Sequence, residues 1–493
     1  MSEFYSRLLT AAKSVFATTI LVAVGLVGPI AHGQSGEMLP IVFVHGQSGS
    51  AQQFETQAMR FTSNGYPQEL LFAFEYDTSV GDNPLNDLDA FIDAVLDETG
   101  ADQVYAIGHS RGTTVWTGYL DEPTLGGAEK VSKYVNIDGR SPAELPGGVP
   151  TIGIWGEWNT ADSGYNLRGN TNAQIGPDPA ANFYFGTKSH TEVATSGDAF
   201  AVMYEFLTGE APATTAVIPE PPGSVQIAGR AVIFPENVGY DGATVELWRV
   251  DGATGQRIGK NPRARFPIGP SGAFGPVKVN GQKYYELAVL RAAANGLPAT
   301  VHHFYFEPFS RSDFFVRLNT SRPGEGLEAF LPRDPRYTNL IVSRQKEFWG
   351  DQGAASDVLE IDGLNVLTPA ISPRLRVNLA LFAYDAGPTL PPPFPPFPGP
   401  PDGATDLTRG ELFPFTTLTF LTAADVSIAS SPDAGGTVSV VDQNRGGADR
   451  TTLNVPNWPS DLNRVTVQFR DDDPAVQRFT DPDLGPRGQL PGR

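Results

Sequence analysis

Gly108-His109-Ser110-Arg111-Gly112 and its flanks decide the fold. The apolar run before it, Gln103 to Ile107, reads as a buried strand, and Thr113 to Leu120 can form a helix. A glycine-flanked serine between a strand and a helix makes a tight, strained turn. That turn lifts the hydroxyl above the sheet, where a base and a substrate can reach it. The glycines are needed because the turn runs close to neighbouring backbone. In a chain with 53 glycines the motif alone is a weak signal, so its context must carry the reading.

Outward from the turn, the context agrees. Pro40 to Val44 is a continuous apolar run, as expected of a strand buried on both faces, and His45-Gly46-Gln47-Ser48 follows it. Phe54, Ala58 and Phe61 recur at helical spacing, with Gly65 expected to close the helix. Leu70 to Tyr76 reads as a strand, and Leu85, Leu88, Ile92 and Leu96 as one face of a helix. Tyr134 to Ile137, Thr151 to Trp155 and Phe183 to Phe185 read as further strands. Phe200, Met203, Tyr204 and Leu207 mark a last helix before Gly209. Strands alternating with helices predict a mostly parallel sheet covered on both faces over residues 37–210.

The texture then changes. Residues 211–223 form a Pro-rich linker, and 224–470 hold short β-type runs broken by Gly, Pro and Asn, as in Val245 to Val250 and Tyr284 to Leu290. An all-β sandwich or barrel is expected, with two modules meeting near Ser310 as one arrangement. Asn280-Gly281, between Val277-Lys278-Val279 and Gln282 to Tyr285, predicts a hairpin. Pro388 to Pro401 predicts a stiff exposed loop, and residues 471–493 a disordered tail. At the other end, Arg7 and Lys13 precede the apolar stretch Val15 to Val27, and Ala31-His32-Gly33 supplies small residues. Residues 1–33 therefore read as a signal peptide, with a retained anchor as the alternative, and export is expected.

With 55 acidic and 35 basic residues the chain has a net charge of −20 and no basic stripe, which speaks against a nucleic-acid partner. No cysteine is present, so disulfides and thiolate metal sites are excluded.

A serine nucleophile needs a base, and the base needs an orienting acid. In the α/β-hydrolase order the acid and then the histidine follow the serine. Of six histidines, His32, His45 and His109 precede Ser110, and His302 and His303 lie in the β region. His190 remains as the base. For the acid, Asp138 follows the strand Tyr134 to Ile137, while Asp162 lies in the loop after the next strand. The later loop is the commoner location, but the position three residues after Gly156 holds Asn159, so Asp138 is preferred and Asp162 is the alternative. Backbone N–H groups of Gln47 and Arg111 are expected to hold the oxyanion. No metal or organic cofactor is required.

Val42-Phe43-Val44-His45-Gly46, Gln53-Phe54-Glu55, Asn64-Gly65-Tyr66-Pro67, Phe74-Glu75-Tyr76-Asp77, the serine turn, Ile137-Asp138-Gly139, Ser189-His190-Thr191, Phe200 to Met203 and Asn454-Val455-Pro456-Asn457-Trp458 follow one another along the chain. In this order they resemble the two-domain esterase/lipase of archaea and bacteria, with an α/β-hydrolase domain followed by a β-barrel domain. The resemblance covers about Leu39 to Phe469. It implies hydrolysis of carboxylic esters, including long-chain acyl esters and lipids, a β domain that helps bind the acyl chain, and an acid after the earlier strand, which supports Asp138. The chain departs from that group in having only Thr78 to Pro84 where the archaeal enzyme carries a helical lid. The resulting expectation is a secreted, lid-less serine ester hydrolase working through an acyl-enzyme. The alternatives are a polyester depolymerase with the same triad, or an inactive hydrolase-fold protein whose β half binds a surface.

Overall fold

A computed structural model describes residues 38–156, 173–388, 399–445, 447 and 450–471. The expected signal peptide, Asp162, most of the Pro-rich stretch 388–401 and the tail beyond residue 471 lie outside the described residues.

The first half is a six-stranded parallel sheet of order β2-β1-β3-β4-β5-β6. Its strands are β1 (Ile41–Val44), β2 (Leu71–Phe74), β3 (Val104–His109), β4 (Val131–Ile137), β5 (Thr151–Gly156) and β6 (Asn182–Phe185). Helices α1 (Glu55–Ser63), α2 (Leu85–Thr99), α3 (Arg111–Leu120), α4 (Gly127–Lys130), α5 (Glu192–Thr195) and α6 (Gly197–Thr208) complete it.

The continuous apolar run of β1 is explained by burial on both sides, since successive side chains of a strand point to opposite faces. Ile41 and Phe43 join Ile107, Val135 and Ile154 against Phe61 of α1 and Phe200 and Met203 of α6. Val42 and Val44 join Ala106 and Trp155 against Leu88 and Ile92 of α2 and Val115 and Trp116 of α3. Gly100, at φ 70, caps α2, and its N–H bonds the Leu96 carbonyl at 2.8 Å. The end of α1 departs slightly from expectation: Asn64 is its cap, and Gly65 takes the left-handed turn one residue later, at φ 83.

The second half is β structure throughout its described residues, apart from short 3-10 turns. An eight-stranded sheet runs in the order β10 (Ala264–Pro267), β9 (Thr244–Val250), β12 (Tyr284–Arg291), β13 (Thr300–Phe306), β22 (Asn463–Gln468), β15 (Leu340–Phe348), β18 (Asn378–Tyr384) and β19 (Leu421–Asp425). A smaller sheet holds β11 (Ala273–Lys278), β7 (Gln226–Ile233) and β14 (Asp313–Thr320), with β8 (Val238–Gly239) beside β7. A third holds β17 (Leu364–Asn365), β16 (Val358–Ile361), β20 (Thr437–Gln443) and β21 (Thr451–Pro456).

One expectation about this half is corrected. Asn280-Gly281 does not close a hairpin. The turn itself forms, with Lys283 N–H on the Asn280 carbonyl at 2.9 Å, but β11 pairs with β7 and β12 with β9 and β13. Phe274 and Val279 instead face Tyr285, Leu287 and Val289 across one core. Alternating apolar residues around a turn look the same whether the strands pair edge to edge or face each other as opposite sheets. Strands from either side of Ser310 pair with one another. β14, which starts beyond it, pairs in parallel with β7, and β22 from the end of the chain lies between β13 and β15.

The Pro-rich linker is docked along α1. Thr215 O accepts from Arg60 Nε at 2.8 Å, Thr214 O accepts from Asn64 Nδ2 at 2.8 Å, and Ile218 N–H donates to Ser63 Oγ at 2.9 Å. The two halves share more than this strap. Phe315 of β14 belongs to the hydrolase core and meets Phe43 edge-on, with ring centroids 5.8 Å apart. Beside it, the buried carboxylate of Glu75 accepts from Arg317 Nε at 2.8 Å, from the Arg230 guanidinium, and from Ala51 N–H at 2.9 Å. Burial opposes its ionisation, but the Arg317 and Arg230 guanidiniums outweigh that and hold the carboxyl down at about 2.

Because the aromatic core crosses the junction, Phe315→Ala should cost about 3–5 kcal/mol and lower one shared unfolding transition. Two separate transitions in a urea melt would contradict the joint core. Glu75 titrates at about 2 when folded against an ordinary 4.5, so the unfolded chain binds its proton first. Its contribution should be complete above the ordinary value and be lost as pH falls towards the folded one. Glu75→Gln should remove that slope, as urea midpoints across the window would show, and cost about 3–5 kcal/mol at neutral pH by stranding the arginines.

Candidate active site

Ser110 stands between β3 and α3, as the N-cap of α3, with φ 52 and ψ −120, a conformation of order 1–3 kcal/mol above ordinary backbone for a non-glycine residue. The strain is held by hydrogen bonds. Ser110 N–H donates to the Ile137 carbonyl at 3.0 Å, and its own carbonyl accepts from Thr113 N–H at 3.0 Å and Thr113 Oγ1 at 2.6 Å. The glycines serve by their lack of bulk. A Cβ on Gly112 would stand 2.1 Å from the Val44 carbonyl oxygen, and one on Gly108 would stand 2.7 Å from Trp116 Cδ1.

Asp138 follows β4 at φ 44 and is fully buried. Its N–H bonds the Ile154 carbonyl at 2.8 Å, and its Oδ1 accepts from Gly156 N–H at 3.1 Å. Oδ2 faces His190 Nδ1 at 2.6 Å. A carboxylate there fixes the imidazole tautomer, with the proton on Nδ1 and Nε2 left as the basic nitrogen. His190 lies between β6 and α5, and its carbonyl accepts from His109 Nε2 at 2.8 Å. The structure thus brings Asp138 and His190 together and sets His190 beside the residue preceding Ser110. Ser110 Oγ makes no hydrogen bond to His190 among the described residues. That contact often tightens only once substrate is bound.

Gln47 lies on the loop after β1. Gly46 is against the elbow, since a Cβ there would be 3.0 Å from Ser110 Cβ. Gly46 N–H donates to Gln53 Oε1 at 3.1 Å, Gln53 Nε2 reaches His109 Nδ1, and His109 Nε2 reaches the His190 carbonyl. One chain of hydrogen bonds therefore links the loop that carries Gln47 to the loop that carries His190. The roles of Gln53 and His109 are not legible in the sequence, because a buried relay leaves no spacing pattern. The Arg111 side chain is not a free positive charge at the mouth. It donates to Gln47 Oε1 at 2.7 Å and to the Asp82 carbonyl at 2.9 Å, and its guanidinium lies 5.3 Å from the Tyr76 ring centroid. It buckles residues 78–82 to the loop, and residues 78–84 carry no helix. Beneath them His45 stacks on Tyr76, and burial lowers its pKa to about 4, so it is neutral.

The β half reaches this centre twice. Asn237 Nδ2 donates to the Gly49 carbonyl at 2.9 Å and the Tyr76 carbonyl at 3.0 Å, and Glu347 touches the His190 loop. Between Ser48–Ser50 and the β strands lies a cavity of about 130 Å³. Phe234, Phe304, Ile341 and Phe382 line it. It approaches the roughly 150 Å³ of an apolar cavity that admits benzene. Among the described residues no group of three or more His, Asp and Glu side chains is placed to hold a metal ion.

A parallel sheet with a strained serine at the β3–α3 turn and an Asp–His pair beyond later strands defines an α/β-hydrolase. The chain carries the two-domain lipase architecture: a class 2 lipase model matches residues 38–119 and a lipase C-terminal domain model residues 223–323. A model of a further C-terminal domain matches residues 326–473. These matches support an ester hydrolase of the lipase or esterase type. Among solved structures it is similar to the lin2722 gene product of Listeria innocua, at 13% identity over 36% of this chain and 97% of that one, TM-score 0.27. It is also similar to the mature lipase BlEst2 of Bacillus licheniformis, at 14% identity over 37% and 96%, TM-score 0.27. Lipase B of Aspergillus fumigatus matches at 13% identity over 38% and 57%, TM-score 0.26. Likenesses this distant say nothing about substrate.

The carboxylate on His190 is that of Asp138, so Asp138→Asn should lower turnover far more than Asp162→Asn. The loss should be on the order of 10⁴-fold, the size seen when a triad carboxylate becomes an amide. Initial rates on a nitrophenyl ester decide between the two, and a larger loss at Asp162 would move the acid to the later loop.

Proposed function

We propose that the protein is an exported serine ester hydrolase that works through an acyl-enzyme, with Ser110 as nucleophile, His190 as base and then acid, and Asp138 as its orienting group. The observation that carries this reading is the 2.6 Å contact of Asp138 Oδ2 with His190 Nδ1, next to a serine held at positive φ. Ser110 Oγ attacks the ester carbonyl while His190 Nε2 takes its proton. The tetrahedral oxyanion is held by the N–H groups of Gln47 and Arg111, which act without reorganisation because both loops are already fixed. The same proton then goes to the leaving alcohol, and water repeats the sequence on the acyl-enzyme. Export rests on the charged and apolar pattern of residues 1–33.

We assign an acyl chain to the largely apolar cavity beside Ser48, two residues beyond the Gly46 that lies against Ser110. Residues 78–84 are too short for a lid helix and are buckled by Arg111, which favours a mouth open without an interface.

A fluorophosphonate should label Ser110 in the native protein and fail on Ser110→Ala. Ser110→Ala and His190→Ala should each lose on the order of 10⁴-fold or more in turnover while remaining folded. A folded variant of either kind with near-normal turnover would refute the assignment.

A further inference from the structure

The loop that carries His190 is gripped from the other half of the molecule. β15 pairs with β18 in regular register from Leu340↔Ala383 to Ser343↔Ala380, then jumps to Phe348↔Asn378. Arg344 to Glu347 therefore stand out from the sheet opposite Leu379 alone. Bulges of this kind re-aim side chains, often next to a site. This one is built to keep its shape. The Asp471 carboxylate accepts from Gln345 N–H at 3.0 Å and Lys346 N–H at 2.9 Å. Arg344 donates to the Lys346 carbonyl at 2.9 Å and the Glu347 carbonyl at 2.7 Å, and Arg445 donates to the same Glu347 carbonyl at 2.6 Å.

The bulge delivers the fully buried Glu347 to the residues on either side of His190. Glu347 Oε1 accepts from Thr191 N–H at 2.9 Å, and Oε2 accepts from Ser189 Oγ. Glu192, next along, pairs with Arg445 at 2.8 Å and Lys346 at 3.2 Å. His190 thus has three sets of anchors: Asp138 on its ring, His109 on its carbonyl, and Glu347 on both neighbours. The first two belong to the hydrolase half and the third to the β half.

We propose that Glu347 is a positioning residue for His190, so that the β domain is a working part of the catalytic centre. This rests on the reading of His190 as the base. Glu347 touches neither substrate nor the reacting atoms. It fixes the peptide planes that flank the imidazole, and so sets the angle from which Nε2 meets Ser110. Catalytic geometry tolerates errors of only about 0.5 Å, and a displacement of about 1 Å costs on the order of 10²-fold.

The test uses the full-length protein and a nitrophenyl butyrate, with steady-state kinetics, the rate of fluorophosphonate labelling and an unfolding midpoint for each variant. Glu347→Ala should lower kcat about 10- to 100-fold and slow labelling, while KM stays within about twofold, because alignment and not binding is lost. Glu347→Gln keeps an acceptor for Thr191 N–H and a partner for the Ser189 hydroxyl, so it should recover most of the loss. Ser189→Ala should lower kcat modestly and add nothing on top of Glu347→Ala, since the contact of Ser189 with Glu347 is already lost there. A folded Glu347→Ala with wild-type kcat overturns the proposal, as does a loss carried by KM or a Glu347→Gln as slow as the alanine variant. If Glu347→Ala does not fold, Ser189→Ala decides, and an unchanged kcat there overturns it. The two readings fail differently. A wild type that neither hydrolyses the ester nor takes the label at Ser110 refutes the serine-hydrolase function and this proposal with it, whereas an active wild type with a fully active Glu347→Ala refutes the positioning role alone.

Discussion

Glu75 belongs to the hydrolase half, yet both of its charged partners, Arg230 and Arg317, belong to the β half. A carboxylate buried this way cannot slide. Away from the guanidiniums it would be an unpaired charge in a low-dielectric interior, so the junction has one register or none. Ion pairs of this kind add little net stability over a well-packed apolar substitute, but they specify geometry. The apolar part of the junction, Phe315 against Phe43, supplies the burial, and Glu75 decides where that burial takes place.

From that fixed register the other contacts follow. With β7 and β14 locked to the hydrolase core, the turn after β7 places Asn237 on the Gly49 carbonyl, on the loop that carries Gln47. On the large sheet, the bulge in β15 meets the His190 loop. The loops that carry Gln47 and His190 are therefore each tied to the β half, and within the hydrolase half they are tied to each other through Gln53 and His109. The electrostatics are consistent with this. Glu347, Glu192 and Asp357 are surrounded by Arg344, Arg445 and Lys346, so the buried acids about the loop are met by buried cations.

The sequence by itself determined the local chemistry. Apolar runs and helical spacing placed the strands and helices of the parallel sheet, because both faces of that sheet are buried and leave a strong pattern. The serine turn, the chain order Ser110, Asp138, His190 and the elimination of the other histidines marked the candidate site, because elbow geometry and triad order are constraints on sequence. Only the tertiary structure decided which strands pair, as the turn at Asn280-Gly281 shows. A turn has the same residues whether it joins neighbours in one sheet or crosses between two, and long-range register costs nothing that local propensity can record. It also decided that the linker is docked, that Arg111 is a buckle, and that Glu347 and Asn237 touch the loops that carry His190 and Gln47. Those roles arise from contacts between residues far apart in the chain, and a lone glutamate in a strand bulge has no local signature until the two halves are brought together.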